Sequence, residues 1–532
     1  MQTSVKIAVA GVASLVFIVL VGFILFQPIM RFGIKDQTCL KKRNEVRDIY
    51  LKLPFPLDFK IYFFNVSNPE QVQNGAIPIV KEVGPYCYNE YKNKIDVVDN
   101  DAEDSLTYSP YDIFSFNQNK SGDLDDNEYV TILNPIIVGM VNQVAKESPA
   151  LLSIVNQAII AIFQPKSIYI TARVRDILFD GIEINCNITD FAAKAVCTQI
   201  KSMSAFKAHQ TKKNVFLFSV FGTRNATVGG RIKVSRGILN YKDVGRVLEI
   251  DGKKEISLWT TEWCNRFRGT DGWIIPPLLE EGESVRVFGT DLCRNVEAIP
   301  VSKDYMKGLH VRVYEATMGD MEHNEADKCY CSSPTTCLKK GLFDLSKCMG
   351  VPIIVTLPHF LETDPYYLEK VYGLDPVHDA HVLKIILEPM TSTPLVAKKR
   401  AQLNLMISAV PRITVMQNVS EALHPIFWME EGIDLEGPLL TKVQTIFVAV
   451  KVLTVLNYIG LLASLGTIAY GSYGYFKNMK SVKVTPTHEA TSTINDDITR
   501  STNVLVATMN GMERKTYNHP VLSGHEFNRY NT

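Results

Sequence analysis

The sequence predicts an α+β protein whose β-rich middle segment is held between two apolar helices, each long enough to cross a bilayer. Three observations carry this reading. Two uncharged stretches stand near the ends of the 532-residue chain, the segment between them alternates in the manner of β-strands, and all ten cysteines lie in that segment. The chain carries 56 Lys and Arg against 56 Asp and Glu. The basic surplus that phosphate neutralisation needs is therefore missing, and no nucleic acid is expected as a partner.

The first span comes from Lys6 to Arg31, between which no charge occurs; its heart, Ile7 to Phe26, reads IAVAGVASLVFIVLVGFILF. About 20 residues of helix cover roughly 30 Å, the thickness of the hydrocarbon core. No small-x-small cleavage site follows, so an uncleaved anchor is expected. The second span, Val452 to Phe476, lies between Lys451 and Lys477 and holds one strongly polar side chain, Asn457.

All five Asn-x-Ser/Thr sequons (Asn65, Asn119, Asn187, Asn225 and Asn418) fall between the spans with the cysteines, which favours an extracellular or lumenal middle segment. Lys477, Lys480 and Lys483 supply the basic inner flank of the second span. Arg31, Lys35, Lys41, Lys42 and Arg43 dissent, because they stand on the outer side of the first; the charge rule is weak before a long translocated domain. The expected layout is an inner tail (1–6), a span (7–30), a disulfide-bonded, glycosylated ectodomain (31–451), a second span (452–476) and an inner tail (477–532). That second tail is rich in Thr, Asn and Ser and reads as disordered.

Six cysteines crowd one window: Cys264, Cys293, Cys329, Cys331, Cys337 and Cys348. In an oxidising compartment this is a stapled subdomain with its pairing open. The Ser-Ser-Pro-Thr-Thr between Cys331 and Cys337 suits a small closed loop, and no nearby pair of histidines completes a zinc knuckle. Cys39, Cys87, Cys186 and Cys197 are left over, either free or with Cys186 joined to Cys197.

Strands are read at Lys60 to Val66, Asn214 to Phe221 and Pro352 to Leu357, all β-branched and aromatic with turn residues at their ends. The exception is Asn134 to Gln164. There Asn134-Pro135 and Ser148-Pro149 each place a capping residue before a first-turn proline, predicting two helices. The second, Ala150 to Phe163, gathers Ser153, Asn156 and Gln157 on one face and is otherwise apolar. It packs on its partner helix or meets an apolar ligand or another protein, and Lys146 and Lys166 flank it where they could meet a carboxylate or other polar head group.

No nucleophile elbow, His-Glu-x-x-His, P-loop or dinucleotide fingerprint occurs, so no enzyme is expected. His359, between apolar neighbours, reads as a core or turn histidine; Asp271 reads as a loop acid capping its own backbone.

Ordered motifs now accumulate: Tyr62 to Pro69 (YFFNVSNP), Glu82 to Tyr86 (EVGPY), Cys264 through Gly269 to Gly272 (GTDG) and Pro276-Pro277, and Asp291 to Arg294 (DLCR). Then come Cys329-Tyr-Cys331, Cys348, Leu357 to Leu361 (LPHFL), Glu388-Pro389 and Lys399-Arg400. This series resembles the CD36-type class B scavenger receptors, and among them the insect sensory neuron membrane proteins most closely. The resemblance implies the pairings Cys264–Cys329, Cys293–Cys348 and Cys331–Cys337. It also implies a β-barrel-like ectodomain with an apical helical bundle at 134–164 and an apolar tunnel towards the bilayer. Lys146, Leu152, Val155, Ile159, Phe163 and Lys166 then become candidate ligand contacts.

The function so implied is a non-enzymatic co-receptor without cofactor in the plasma membrane of chemosensory cilia or dendrites. It would pass long-chain fatty-acid-derived ligands to membrane lipid or an odorant receptor. The chain departs from vertebrate relatives in lacking tail cysteines for acylation, and no acidic dileucine for lysosomal sorting is present. Two other functions keep a place: a general scavenger or lipid-uptake receptor of the same fold, and a two-span ligand-gated channel subunit. The channel would use Asn457, Gly460, Gly466, Gly471 and Gly474 as pore features, although glycines in a span more often mark helix packing.

Overall fold

The computed structural model describes residues 2–202, 209–333 and 336–480. The expected tail beyond Lys480 lies outside them. Among the described residues the chain divides into two compact units, one of them Gly11–Gly466 and the other made by the two chain ends.

Two helices, Gln2–Thr38 and Gly437–Lys480, are long and apolar enough to cross a membrane. Each contains one of the uncharged stretches. The first widens into a π-helical turn at Val19–Leu25. Small residues bring the pair together: Ser14 and Ser464 share a hydrogen bond at 3.0 Å, and a Cβ at Gly460 would touch Ile18. In the unit made by the chain ends, Gly471 lies against the backbone of Ala8 in the same way. Close backbone approach of this kind drives helix association in lipid.

The body is one large sheet. Its order runs Val247–Ile250, Ile232–Ser235, Ser105–Phe116, Val80–Asn100, Leu57–Val66, Ala422–Asp434, Thr393–Ile407, Leu383–Glu388, Leu309–Ala316, Arg294–Met306 and Val285–Gly289, every neighbour antiparallel. The two ends of that order are brought almost together by the Gly-Thr-Asp-Gly segment. Thr270 bridges Arg246, beside the first strand, and Val287, in the last. Val247 N–H donates to Gly269 O (3.1 Å), and Phe288 N–H to Thr270 O (2.8 Å). The result is a nearly closed, barrel-like sheet, and closure removes edges that would otherwise be open to pairing. Gly269 sits at φ +89°, with the Arg286 carbonyl where a Cβ would stand, so the seam admits only glycine there.

Over one end of the sheet lie the helices Pro135–Glu147 and Leu152–Phe163, with Phe191–Ser202 beside them. Asn134 caps the first, its Oδ1 accepting from Ile136 and Ile137 N–H. Ser148 does not cap the second with its side chain. Its N–H closes the preceding helix on Val144 O, and the chain enters the next helix through a 3₁₀ turn at Pro149–Leu151.

Four disulfides staple the described residues: Cys264–Cys329, Cys293–Cys348, Cys331–Cys337 and Cys186–Cys197. The first three surround a core of Trp259, Met318, Tyr330, Phe343 and Leu357. Cys39 and Cys87 are free and buried.

Candidate functional site

The strand Val80–Asn100 turns alternate residues to one face, and along it Tyr88, Glu90, Lys92 and Lys94 change chemistry step by step. Tyr88 belongs to an aromatic cluster with Phe59, Phe114, Phe179 and Phe221, whose ring centroids are about 5–6 Å apart.

One step along begins an ion network. Lys92 Nζ lies 2.9 Å from Glu90, 3.2 Å from Glu431 and 3.9 Å from Asp112. Arg224 joins Asp112 (2.8 Å) to Asp291 (3.4 Å), and Lys399 joins Asp291 (3.6 Å) to Glu431 (3.5 Å). The side chains of Lys399 and Asp291 each keep 51 % of their surface accessible, so this end of the network is half exposed. Burial, with Glu431 nearby, pushes the Glu90 carboxyl up to about 7. The Arg224 guanidinium holds Asp291 well below the usual carboxylate range, against the opposing pull of desolvation.

A further step reaches Lys94, whose ammonium lies 3.8 Å from the Tyr50 ring, 5.2 Å from that of Tyr108 and 5.0 Å from that of Trp273. Burial lowers it to about 8. Asp271 anchors this cage. Its Oδ1 accepts from Trp273 N–H, the expected local cap, and its Oδ2 also accepts from Tyr50 (2.5 Å) and Tyr108 (2.6 Å). Sequence reading missed the cage and the network because their members come from six or more separate segments. The available signal was the placing of Glu90, Lys92 and Lys94 at alternate positions of one strand, in line with Tyr88.

The apical candidates separate by exposure. Leu152, Val155 and Ile159 are buried in the main core, Phe163 is half-buried against it, and Lys146 and Lys166 are exposed. Lys146 lies 4.0 Å from Asp344. The outward half of the stretch Pro149–Phe163 instead carries Leu151, Ile154 and Ile160 among Ser153 and Gln157. Asn156 turns its Oδ1 to Thr414 N–H at 2.8 Å.

His359 is a satisfied buried histidine. Its Nδ1 accepts from Asp375 N–H (3.0 Å), which leaves the proton on Nε2 to donate to Glu82 (2.5 Å). His381 stacks on it at 4.3 Å. Among the sequons, Asn119, Asn187 and Asn418 are exposed. Asn65 and Asn225 are half-buried, and their carbonyl oxygens accept from Thr131 and Phe114 N–H. No group of three or more potential metal-ligating side chains occurs among the described residues.

Sensory neuron membrane protein 1 of Apis mellifera is 40% identical over 491 residues, covering 90% of this chain and 94% of its own length. The protein of the same name from Ostrinia furnacalis is 37% identical, covering 94% and 95%, and that from Helicoverpa assulta 40%, covering 88% of each. The pattern of the CD36 family matches residues 9–475, which takes in the barrel, the disulfide-bonded core and most of both apolar helices, and the chain belongs to that family.

Proposed function

We propose that this chain is a non-enzymatic receptor of sensory-neuron membranes that takes long-chain, fatty-acid-derived ligands and passes them to the bilayer or to a neighbouring odorant receptor. The tissue is supported by the name its relatives carry, sensory neuron membrane protein 1. In this reading residues 31–451 face outward from the plasma membrane of a cilium or dendrite, both tails are cytoplasmic, and the exposed sequons carry glycans.

The observation that carries the reading is the outward face of the apical helix. Leu151, Ile154 and Ile160 stand in water there while the rest of the helix is packed. A ligand with a dozen methylenes gains about 0.8 kcal/mol for each one that leaves water, roughly 10 kcal/mol in all, so capture needs only an apolar landing surface. Directed release is the harder task, and the step from aromatic cluster to ion network inside the barrel supports it. An apolar chain is stabilised in the first and repelled by the second.

Equilibrium binding of a fluorescent long-chain fatty acid or aldehyde to the full chain in lipid nanodiscs tests the proposal. Saturable binding is expected, weakened about tenfold, or ~1.4 kcal/mol, by combined Leu151→Ser, Ile154→Ser and Ile160→Ser. No binding by the folded chain would sink ligand carriage.

A further inference from the structure

Residues 237–241 form a loop at the foot of the barrel that the receptor reading does not use. It is built rigidly. Arg236, buried, donates to Asp101 (2.6 Å) and Asp104 (3.2 Å), and Asp104 also accepts from Leu239 N–H (2.9 Å). Arg236 O accepts from Leu40 N–H (2.8 Å), which ties the start of the loop to the chain just past the helix Gln2–Thr38. Its other end, Tyr241, has its ring 4.3 Å from the ammonium of Lys35 in that helix. The loop therefore runs down alongside the helix, from the level of residue 40 to that of residue 35.

Those levels can be set against the bilayer. The uncharged stretch ends at Arg31, four residues or about 6 Å of rise below Lys35, while the headgroup layer is roughly 5–7 Å thick on each side. At its tip the loop exposes Ile238 at 44 % and Leu239 at 83 %. A second element reaches the same level independently. Tyr305, on the strand Arg294–Met306, is 54 % exposed and meets Lys451, the last charge before the second uncharged stretch, with its hydroxyl 3.5 Å from Nζ. A shallow groove of about 440 Å³ on the first helix, lined by Gln27, Pro28, Arg31, Phe32 and Lys35, adds two cations at phosphate height.

We infer that the foot of the barrel is a membrane-seating surface: Ile238 and Leu239 enter the headgroup–acyl boundary of the bilayer that the two helices cross, Tyr305 lies at the interface, and Arg31 and Lys35 meet lipid phosphate. Aromatic and basic side chains favour that level, and an apolar loop tip gains there what it lacks in water. The seat fixes the height and tilt of the body above its own membrane.

The full chain is labelled with an environment-sensitive nitrobenzoxadiazole at Leu239→Cys, and separately at Leu151→Cys on the apex, and reconstituted in phosphatidylcholine nanodiscs with and without brominated lipid. The unsubstituted chain measures labelling of the buried Cys39 and Cys87. Emission at 239 is expected to shift to the blue and to fall about twofold with brominated lipid, while that at 151 stays unchanged. Ile238→Cys repeats the measurement should the first site fold poorly. No quenching at 238 or 239, or equal quenching at 151, would overturn the inference.

Discussion

Asn457 Nδ2 donates a hydrogen bond to Gly22 O at 3.3 Å. The acceptor lies within the π-helical turn Val19–Leu25, where the ladder is locally widened. A Cβ at Gly22 would fall 2.6 Å from Asn457 Oδ1, so the glycine gives the amide its room. The one strongly polar side chain of the second stretch thus serves helix packing, which weighs against the channel alternative.

Replacing Asn457 by Leu is expected to cost about 1 kcal/mol of helix association, within the range of interhelical hydrogen bonds in lipid. Gly22→Val is expected to cost more, since it displaces the amide and separates the helices. Thermal unfolding in detergent and cysteine cross-linking between the helices read both effects. Planar-bilayer recordings of the chain alone should show no current; a reproducible unitary conductance would restore the channel reading.

The barrel seam predicts an uneven response among glycines. At Gly269→Ala, the methyl collides with the Arg286 carbonyl in a backbone conformation that L-residues rarely adopt, and a loss of roughly 3 kcal/mol or more is expected. Gly282 has a similar φ of +78° and open space around it, so Gly282→Ala should cost only about 1 kcal/mol. Thermal melts of the two variants, with yield of folded chain in the membrane fraction as a second reading, separate collision from backbone strain.

The legibility of this fold varied with the range of the pattern that encodes it. The apolar stretches and the strand Leu57–Val66 are local periodicities and stand where the sequence puts them. Lys399 and Arg400 show where locality ends. Adjacent in sequence, they point to opposite faces of one strand, Lys399 to Glu431 at 3.5 Å and Arg400 to Glu430 at 2.8 Å, a division set by pairing register. Thr270 bridges two strands distant in sequence, and nothing in Gly-Thr-Asp-Gly announces a seam. On the apical helix the periodicity located a polar face but not which apolar side chains share it: Ile160 falls within that face, three and four residues from Gln157 and Asn156, and Leu151 lies in the 3₁₀ turn before the helix, outside its period.

That last point sets an expectation for the apex. Leu152→Asp or Ile159→Asp places a carboxylate in the main core and is expected to unfold the apical region, at a cost of roughly 4 kcal/mol or more. Leu151→Asp, on the outward side, should change stability by no more than about 0.5 kcal/mol. Urea unfolding followed by far-ultraviolet circular dichroism distinguishes them. Equal losses at 151 and 152 would mean that the outward face is covered.

Acid response follows from two histidines and one carboxyl. Burial, reinforced by neighbouring His359 and opposed by Glu82, holds His381 down to about 4. Burial alone lowers His424 to about 4; it sits between the Tyr169 hydroxyl and Pro425 O. Both are neutral in the folded chain near pH 6, where the unfolded chain binds protons at its ordinary histidine value of about 6.5. Their stabilising contribution is therefore complete above pH 6.5 and is lost as pH falls towards 4, at up to about 1.4 kcal/mol per pH unit each. Glu90, pushed up to about 7, acts in the opposite sense, because the folded state takes its proton first. Between pH 6.5 and 5 the two histidines outweigh the one carboxyl, and the melting temperature of the full chain should fall by several degrees. His424→Gln or His381→Asn should flatten that slope, whereas Glu90→Gln should steepen it and raise stability at pH 7.5. A melting temperature that rises between pH 6.5 and 5 would show that Glu90 dominates and that the histidines are solvated in the folded chain.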